Sequence, residues 1–291
     1  MKSILEYKLE LRAMLEQSPY LAKLEDFSDE DLLGKLGENG LAIDSQSLFS
    51  LMAKFEGVES LRAFLLAEKS IEDETDWIYA CLIELWTRWQ PERPTIEYIY
   101  DLIGKGNLLQ GRLQSAASAD YYQRAWHEIT KMMSRAGMTS LAEFDAKYPD
   151  APYEFQIIFV ELASTLCDRG HDDIRYYERC ISFCTELLKY LPEGNEDYRD
   201  TLEGIRSYLA SSYARRGESQ KAIELLEQWL AADPTWGWGW IDLADVYTDP
   251  PRNDYAKAGQ ILRKALAVSN LRDCMDVMDC CSEILGELLA A

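Results

Sequence analysis

The sequence predicts an all-α protein: an α-α superhelix of stacked helical hairpins preceded by an N-terminal helical module. Three observations carry this expectation. Leu209, Ala210 and Tyr213 recur as Leu243, Ala244 and Tyr247, each 34 residues further on, and self-similarity at that period marks stacked hairpins. Apolar residues recur three or four positions apart through most of the 291 residues, and no stretch alternates with the period of a strand. The 16 Gly and 9 Pro mostly punctuate the helical stretches.

From the N-terminus, residues 2–16 are expected as a first helix, with Ile4, Leu5, Leu9, Leu11 and Leu15 on a broad apolar side. Ser18-Pro19 starts a short piece running to Leu24. Ser28 is placed to cap a helix whose first turn holds Asp29, Glu30 and Asp31, where negative charge complements the helix dipole. Gly37 and Gly40 end it, Asp44 caps residues 45–55, and Gly57 separates these from 61–68. Residues 1–71 therefore read as an N-terminal helical module. A longer helix over 72–90 follows, with Trp77, Ile78, Cys81, Leu82, Leu85, Trp86 and Trp89 as its apolar positions. PERP stops it, Thr95 caps the next helix, and SAASADYYQRAWHEITKMM is helical again. Residues 72–153 read as degenerate, repeat-like hairpins, and the mixed stretch 136–153 as a hinge.

Residues 154–291 carry the recognisable hairpins. Leu209, Tyr213 and Arg216 share a helix face, and Ala210 is small where two helices cross. Gly217 ends that helix because glycine tolerates the left-handed backbone of a helix stop. Ser219 is expected to cap the second helix, with Ala222, Leu226 and Trp229 or Leu230 as its buried stripe, and Asp233-Pro234 breaks it. The next hairpin takes Trp240, Leu243, Ala244 and Tyr247, then Ala258, Leu262 and Ala265; Pro250 and Pro251 stop its first helix and Asp254 caps its second. A weaker, earlier copy has Leu162-Ala163, with Gly170, Cys180, Cys184 and Pro192 in the places of Gly217, Ala222, Leu226 and Pro234. One more amphipathic helix after Leu266, polar along its edge, is expected to cap the last hydrophobic face.

On these residues, residues 203–266 resemble the tetratricopeptide repeat (TPR) family. The resemblance implies right-handed stacking of hairpins and binding of a protein or peptide in a concave groove, and does not by itself imply catalysis. The strings ELWTRWQPERPTIEYIYDLI and DPTWGWGW are similar to a group of uncharacterised bacterial proteins with a helical or TPR body, often followed by a Cys-rich zinc motif called SEC-C. The 291 residues contain no such motif. That second resemblance implies a bacterial, cytosolic, interaction-type protein.

Composition narrows the partners. The formal net charge is −21, spread almost evenly between residues 1–150 and the remainder. No basic patch is concentrated enough to attract phosphates, which argues against nucleic acid. A basic protein or peptide would be favoured on encounter; solubility alone is the plainer reading of the same charge. No apolar run is long enough to cross a bilayer, and the charged N-terminus does not read as a signal peptide, so no membrane role and a cytoplasmic location are expected. Seven cysteines, an odd number, with neither CxxC nor HxxxH spacing, are expected as free thiols without a metal or other cofactor.

Helix phase selects candidate groove residues: Ser207, Ser211, Ala214 and Arg215 from one hairpin, Ile241, Asp245 and Thr248 from the next, and Ser164 and Asp168 from the weaker copy. In TWGWGW, Trp240 is expected in the core, while the ring faces of Trp236 and Trp238 could hold an apolar or cationic ligand; Trp238 falls on the groove side. Arg215 and Trp238 are the expected anchors. The Lys/Asn/Arg clamp of chaperone-binding TPR proteins is absent, which argues against a C-terminal carboxylate as ligand. His127 and His171 could serve as a base or a metal ligand, or simply be solvated; no Walker loop, GxGxxG or GxSxG accompanies them. Three readings follow. The preferred one is a non-enzymatic scaffold that binds a protein or peptide in its groove. The others are a helical regulator that self-associates through its repeats as a homodimer, and a metal-dependent enzyme using His127, His171 or the thiols.

Overall fold

A computed structural model describes residues 24–69 and 76–290; the helix expected over 2–16 and the start of the piece after Ser18-Pro19 lie outside these residues. Among the described residues every regular element is helical. The chain divides into two compact units, one holding the described residues up to Gln114 together with Asp120–Gly137, the other Ser115–Ala119 and Met138 onward.

In the first unit α1 (Asp29–Glu38), α2 (Ser45–Met52) and α3 (Val58–Lys69) lead to α4 (Asp76–Trp89), α5 (Ile96–Gln110) and most of α6 (Ser115–Ala136). The caps sit where the sequence places them. Ser28 accepts from the Asp31 N–H while Asp31 reaches back, a reciprocal capping box; Asp44 accepts from Ser47 and Thr95 from Tyr98. α1 and α3 both pack on α4. Arg88 of α4 holds the chain entering α1: its guanidinium donates to the carbonyls of Leu24 and Phe27 at 2.9 and 2.7 Å and pairs with Asp29 at 3.0 Å and Glu84 at 2.9 Å. Arg93 closes the other side by donating to the Met52 and Phe55 carbonyls at 3.2 and 2.7 Å. The buried carboxylate of Glu97 accepts from the Glu59 N–H at 3.0 Å and so caps α3 from a distant helix.

The second unit contains α7 (Leu141–Lys147), then α8 (Phe155–Gly170) with α9 (Arg175–Leu187), α10 (Arg199–Arg215) with α11 (Ser219–Ala232), α12 (Gly237–Thr248) with α13 (Tyr255–Ala265), and α14 (Cys274–Ala290). Three hairpins thus stack in sequence. Each first helix packs on the next, α8 on α10, α10 on α12 and α12 on α14, whereas no comparable packing joins α9 to α11 or α11 to α13. The second helices instead wedge between successive first helices, so the stack bends with the first helices on its inner side. This is an α-α superhelical arrangement, as the 34-residue period predicts.

Small residues permit the stacking. Ala163, Ala210 and Ala244 on the first helices, and Cys180, Ala222 and Ala258 on the second, are all fully buried. Gly217 lies at φ 92°, and the N–H groups of Gly217 and Glu218 return to the carbonyls of Ala214 and Tyr213, which satisfies the last carbonyls of α10. Gly170 has a different job from the helix stop assigned to it: a Cβ there would lie 2.3 Å from the Tyr177 ring. Asp254 caps α13 by accepting from Lys257 as expected, but Ser219 is the first residue of α11 and Glu218 precedes it without a side-chain cap.

The TWGWGW turn departs further from expectation. Trp236 is the indole fully sunk in the core, at 2% exposure. Trp240 is half-buried and donates its Nε1–H to the Pro234 carbonyl at 2.9 Å. The two glycines are each forced by a neighbour: a Cβ on Gly239 would meet the Trp236 ring at 2.3 Å, and one on Gly237 would meet the Arg272 carbonyl oxygen at 2.1 Å. The last helix also differs. α14 buries Val277 and Ile284 against α12 and α13, yet leaves Met275, Leu285 and Leu289 at 67, 58 and 88% exposure, so its outer side is not the polar cap expected.

Gly239→Ala and Gly237→Ala are each expected to destabilise the protein by about 1–3 kcal/mol through overpacking. Gly286→Ala, where a Cβ would meet nothing within 4 Å, is expected to be neutral or stabilising by up to about 1 kcal/mol from helix propensity. Thermal or urea unfolding of the three variants measures this contrast.

Candidate functional site

The inner side of the bend is lined by one row of side chains from α10 and one from α12. Along α10 the row is Ser207, Ser211 and Arg215, at the four-residue spacing that keeps residues on one helix face. Each of the three reaches a neighbouring first helix. Ser207 Oγ donates to the Asp242 carboxylate of α12, and Ser211 Oγ lies 3.8 Å from the Cys167 thiol of α8. Arg215 pairs with Asp249 at 3.5 Å, with much of its side chain still exposed. Ser207 and Ser211 are half-buried; their hydroxyls serve the stacking as much as any ligand.

Along α12 the row is Trp238, Asp242 and Asp245, continued by Asp249, which caps the helix end. Trp238 is 47% exposed, the outward-facing indole of the turn. Ile241, expected here, is instead buried at 6% exposure within the core shared by α10 to α14. Asp242 takes the position assigned to it. The expectation was one residue out of phase, and one residue turns a helix by about 100°. The signal was present in the sequence: Trp238, Asp242, Asp245 and Asp249 recur at spacings of four, three and four. Asp168 of α8 is exposed, and Ser164, Ala214 and Thr248 are half-buried.

The chemistry of this surface is anionic. Burial pushes the Asp242 carboxyl up to about 7, against the Ser207 hydrogen bond that favours its charged form, with Asp245 adding repulsion. Asp245 is an exposed residue whose carboxyl group is hemmed in on one side. Desolvation, then repulsion from Asp249 and, more weakly, Glu283 of α14, raise it to about 6, partly offset by Arg215. Cys280 of α14 lies near the same carboxylate; burial and the Asp245 charge push its thiol up to about 11. Two carboxylates of α12, that of Asp249 just after it and one of α14 therefore act on one another where Arg215 supplies the counter-charge.

Other candidate groups lie elsewhere. His127 and His171 are both exposed, and among the described residues no group of three or more His, Cys, Asp or Glu side chains is placed to hold a metal ion. The seven cysteines are free thiols, with Cys180 and Cys184 3.7 Å apart in the core. No helix of the described residues is long and apolar enough to cross a membrane.

A family model described as Tetratricopeptide repeat matches residues 203–246, which span all but the first turn of α10, the whole of α11 and nearly all of α12. Every residue of the two rows except Asp249 falls inside that match. No match was found among curated proteins.

Asp242 and Asp245 also fix a pH dependence. Their folded values, about 7 and about 6, lie above the roughly 3.9 of an unfolded aspartate. Between those limits the folded state binds more protons, so these two groups favour folding at low pH and lose that contribution as pH rises through 6 to 7. Asp242→Asn is expected to raise Tm at pH 8 by at least about 2–4 °C and by about a third as much at pH 5, which lies only about one unit above the unfolded value of an aspartate. Calorimetry at the two pH values checks it.

Proposed function

We propose that the protein is a non-enzymatic binding scaffold whose inner, first-helix surface receives a basic protein or peptide segment. The observation that carries this reading is the convergence of Asp242, Asp245, Asp249 and Glu283 beside Arg215 and the exposed Trp238. Crowded, partly desolvated carboxylates bear a cost that an incoming cation relieves. A lysine or arginine of a bound segment lowers their pKa values and replaces the lost hydration with a charge-assisted hydrogen bond. One helical turn before Asp242, Trp238 offers a ring face to another cation or an apolar side chain of the same segment.

The repeat match supports the general class, since TPR units commonly present protein- or peptide-binding surfaces. The overall charge of −21 adds long-range attraction for a basic partner. Of the expected anchors, Trp238 is exposed and is proposed here as an anchor. Arg215 becomes the cation that a partner's own charge competes with for Asp249 and Asp245. We place this activity in the cytoplasm, where the seven thiols stay reduced.

A fluorescent peptide with alternating Lys and Leu serves as probe, and its Glu-for-Lys counterpart as control. Wild type is expected to bind the basic probe with an affinity at least about tenfold above the acidic one, a difference of about 1.4 kcal/mol. Trp238→Ala combined with Asp245→Asn removes most of that preference. Affinity falls from pH 8 to pH 5 as Asp242 and then Asp245 gain protons. Equal binding of the two peptides, or a preference untouched by the double substitution, rejects the assignment of this surface.

A further inference from the structure

The outer side of α14 carries a second and separate surface. Met278, Leu285 and Leu289 fall on one face of the helix, and Met275 beside them. Their exposures are 40, 58, 88 and 67% respectively. The strip continues into a groove between α13 and α14, of about 500 Å³, floored by Gly259, Ile284 and Leu288 and walled by Arg263, Leu266 and Leu285. Its floor adjoins the core of the last hairpin, in which Ile284 is a member. In the rest of the stack a first helix such as α10 or α12 is covered on this side by its own second helix; among the described residues nothing plays that part for α14. An apolar strip of this extent on a charged protein marks an association surface.

Charge identifies the occupant. α13 carries Lys257, Arg263 and Lys264 and no acidic residue, while α14 carries Asp276, Asp279, Glu283 and Glu287 and no basic one. The four carboxylates recur at spacings of three and four, so they form one flank of α14 beside the apolar strip. Among the described residues no ion pair joins them to the cations of α13: Arg263 and Lys264 are exposed, as are Asp276, Asp279 and Glu287. A foreign acidic helix would meet repulsion along α14, and a foreign basic helix along α13. A second copy satisfies both. When two α14 helices pack parallel about a two-fold axis running along them, opposite flanks of the strip face each other, so each acidic flank lies over the α13 of the other copy, and each α13 meets carboxylates.

We propose that the chain forms a two-fold homodimer in which the apolar strips of two α14 helices pack together and the cations of each α13 pair with the carboxylates of the other copy's α14. Such an interface is isologous, so every favourable pair occurs twice. It leaves the rows on α10 and α12 free, and its test alters none of the inner-surface carboxylates, Glu283 included.

Sedimentation equilibrium of the full chain at micromolar concentration tests it, with circular dichroism to confirm that each variant keeps its helix content. Wild type is expected as a dimer and Met278→Glu/Leu285→Glu as a monomer. Arg263→Glu/Lys264→Glu and Asp279→Lys/Glu287→Lys, each alone, place like charges across the two-fold and are expected to weaken association at least about tenfold. Mixed in equal amounts they restore opposite charges at both symmetry-related contacts and form a heterodimer, a gain that misfolded variants cannot produce. A monomeric wild type overturns the proposal and leaves the strip to a different protein. So does a dimer indifferent to the apolar substitutions, or a mixture that stays monomeric.

Discussion

The second unit depends on one constraint: none of its hairpins can bury its own apolar flank. Ala163, Ala210 and Ala244 let the first helices approach closely, and Cys180, Ala222 and Ala258 do the same for the helices that wedge between them. Fully buried small residues at such crossings trade side-chain volume for backbone proximity, and larger ones would push the hairpins apart. Because every hairpin needs the next, the stack is continuous, and because first helices pack on the next first helix while second helices show no comparable packing on the next second helix, it bends. The surface proposed to bind a partner is a by-product of that bend. Close packing of α10 on α12 is what brings Ser207 to Asp242 and Arg215 to Asp249.

That constraint also explains what the sequence made legible. The period of 34, the small residues at crossings and the glycine stop at 217 are local or repeated features, so they are visible in one dimension. The N-caps at Ser28, Asp44, Thr95 and Asp254 need only a side chain and a backbone group three residues away. Features that depend on distant partners were not legible. Arg88, Arg93 and Glu97 satisfy backbone groups some 40 to 60 residues away, and nothing near them in the chain says so. Trp236 rather than Trp240 is the fully buried indole, and the residues on either side of it, Thr235 and Gly237, lie against the loop at Arg272, which is remote in sequence. At the site the error was one of phase. Ile241 and Asp242 are neighbours, and an apolar residue near a groove looked as plausible as an acidic one until the core of the last hairpins was seen to claim Ile241.

The even distribution of a −21 charge along the chain concealed how unevenly the fold spends it. In the first unit carboxylates are committed to arginines and helix caps, as with Asp29, which takes both Arg88 and the Trp89 indole N–H. On the inner surface of the second unit they outnumber their cations and crowd one another, which is why Asp242 and Asp245 titrate far above ordinary aspartates. Solvated surface charge promotes solubility and leaves pKa values where they were; crowding of this kind raises them. On α13 and α14 the charges are sorted by sign onto separate helices, an arrangement that composition cannot reveal.

Arg272 gives the stack a property that simple repeat arrays lack. From the loop before α14 its guanidinium holds Glu203 at the start of α10 and Asp233 at the end of α11, both at 2.7 Å, while its backbone N–H donates to Thr235. A solenoid whose units touch only their nearest neighbours frays from its end one unit at a time. Here α14 cannot lift away without breaking a buckle fastened a whole hairpin upstream. The terminal hairpins and α14 are therefore bound to open as a single cooperative block, and the C-terminal end resists the stepwise peeling to which linear repeat proteins are prone.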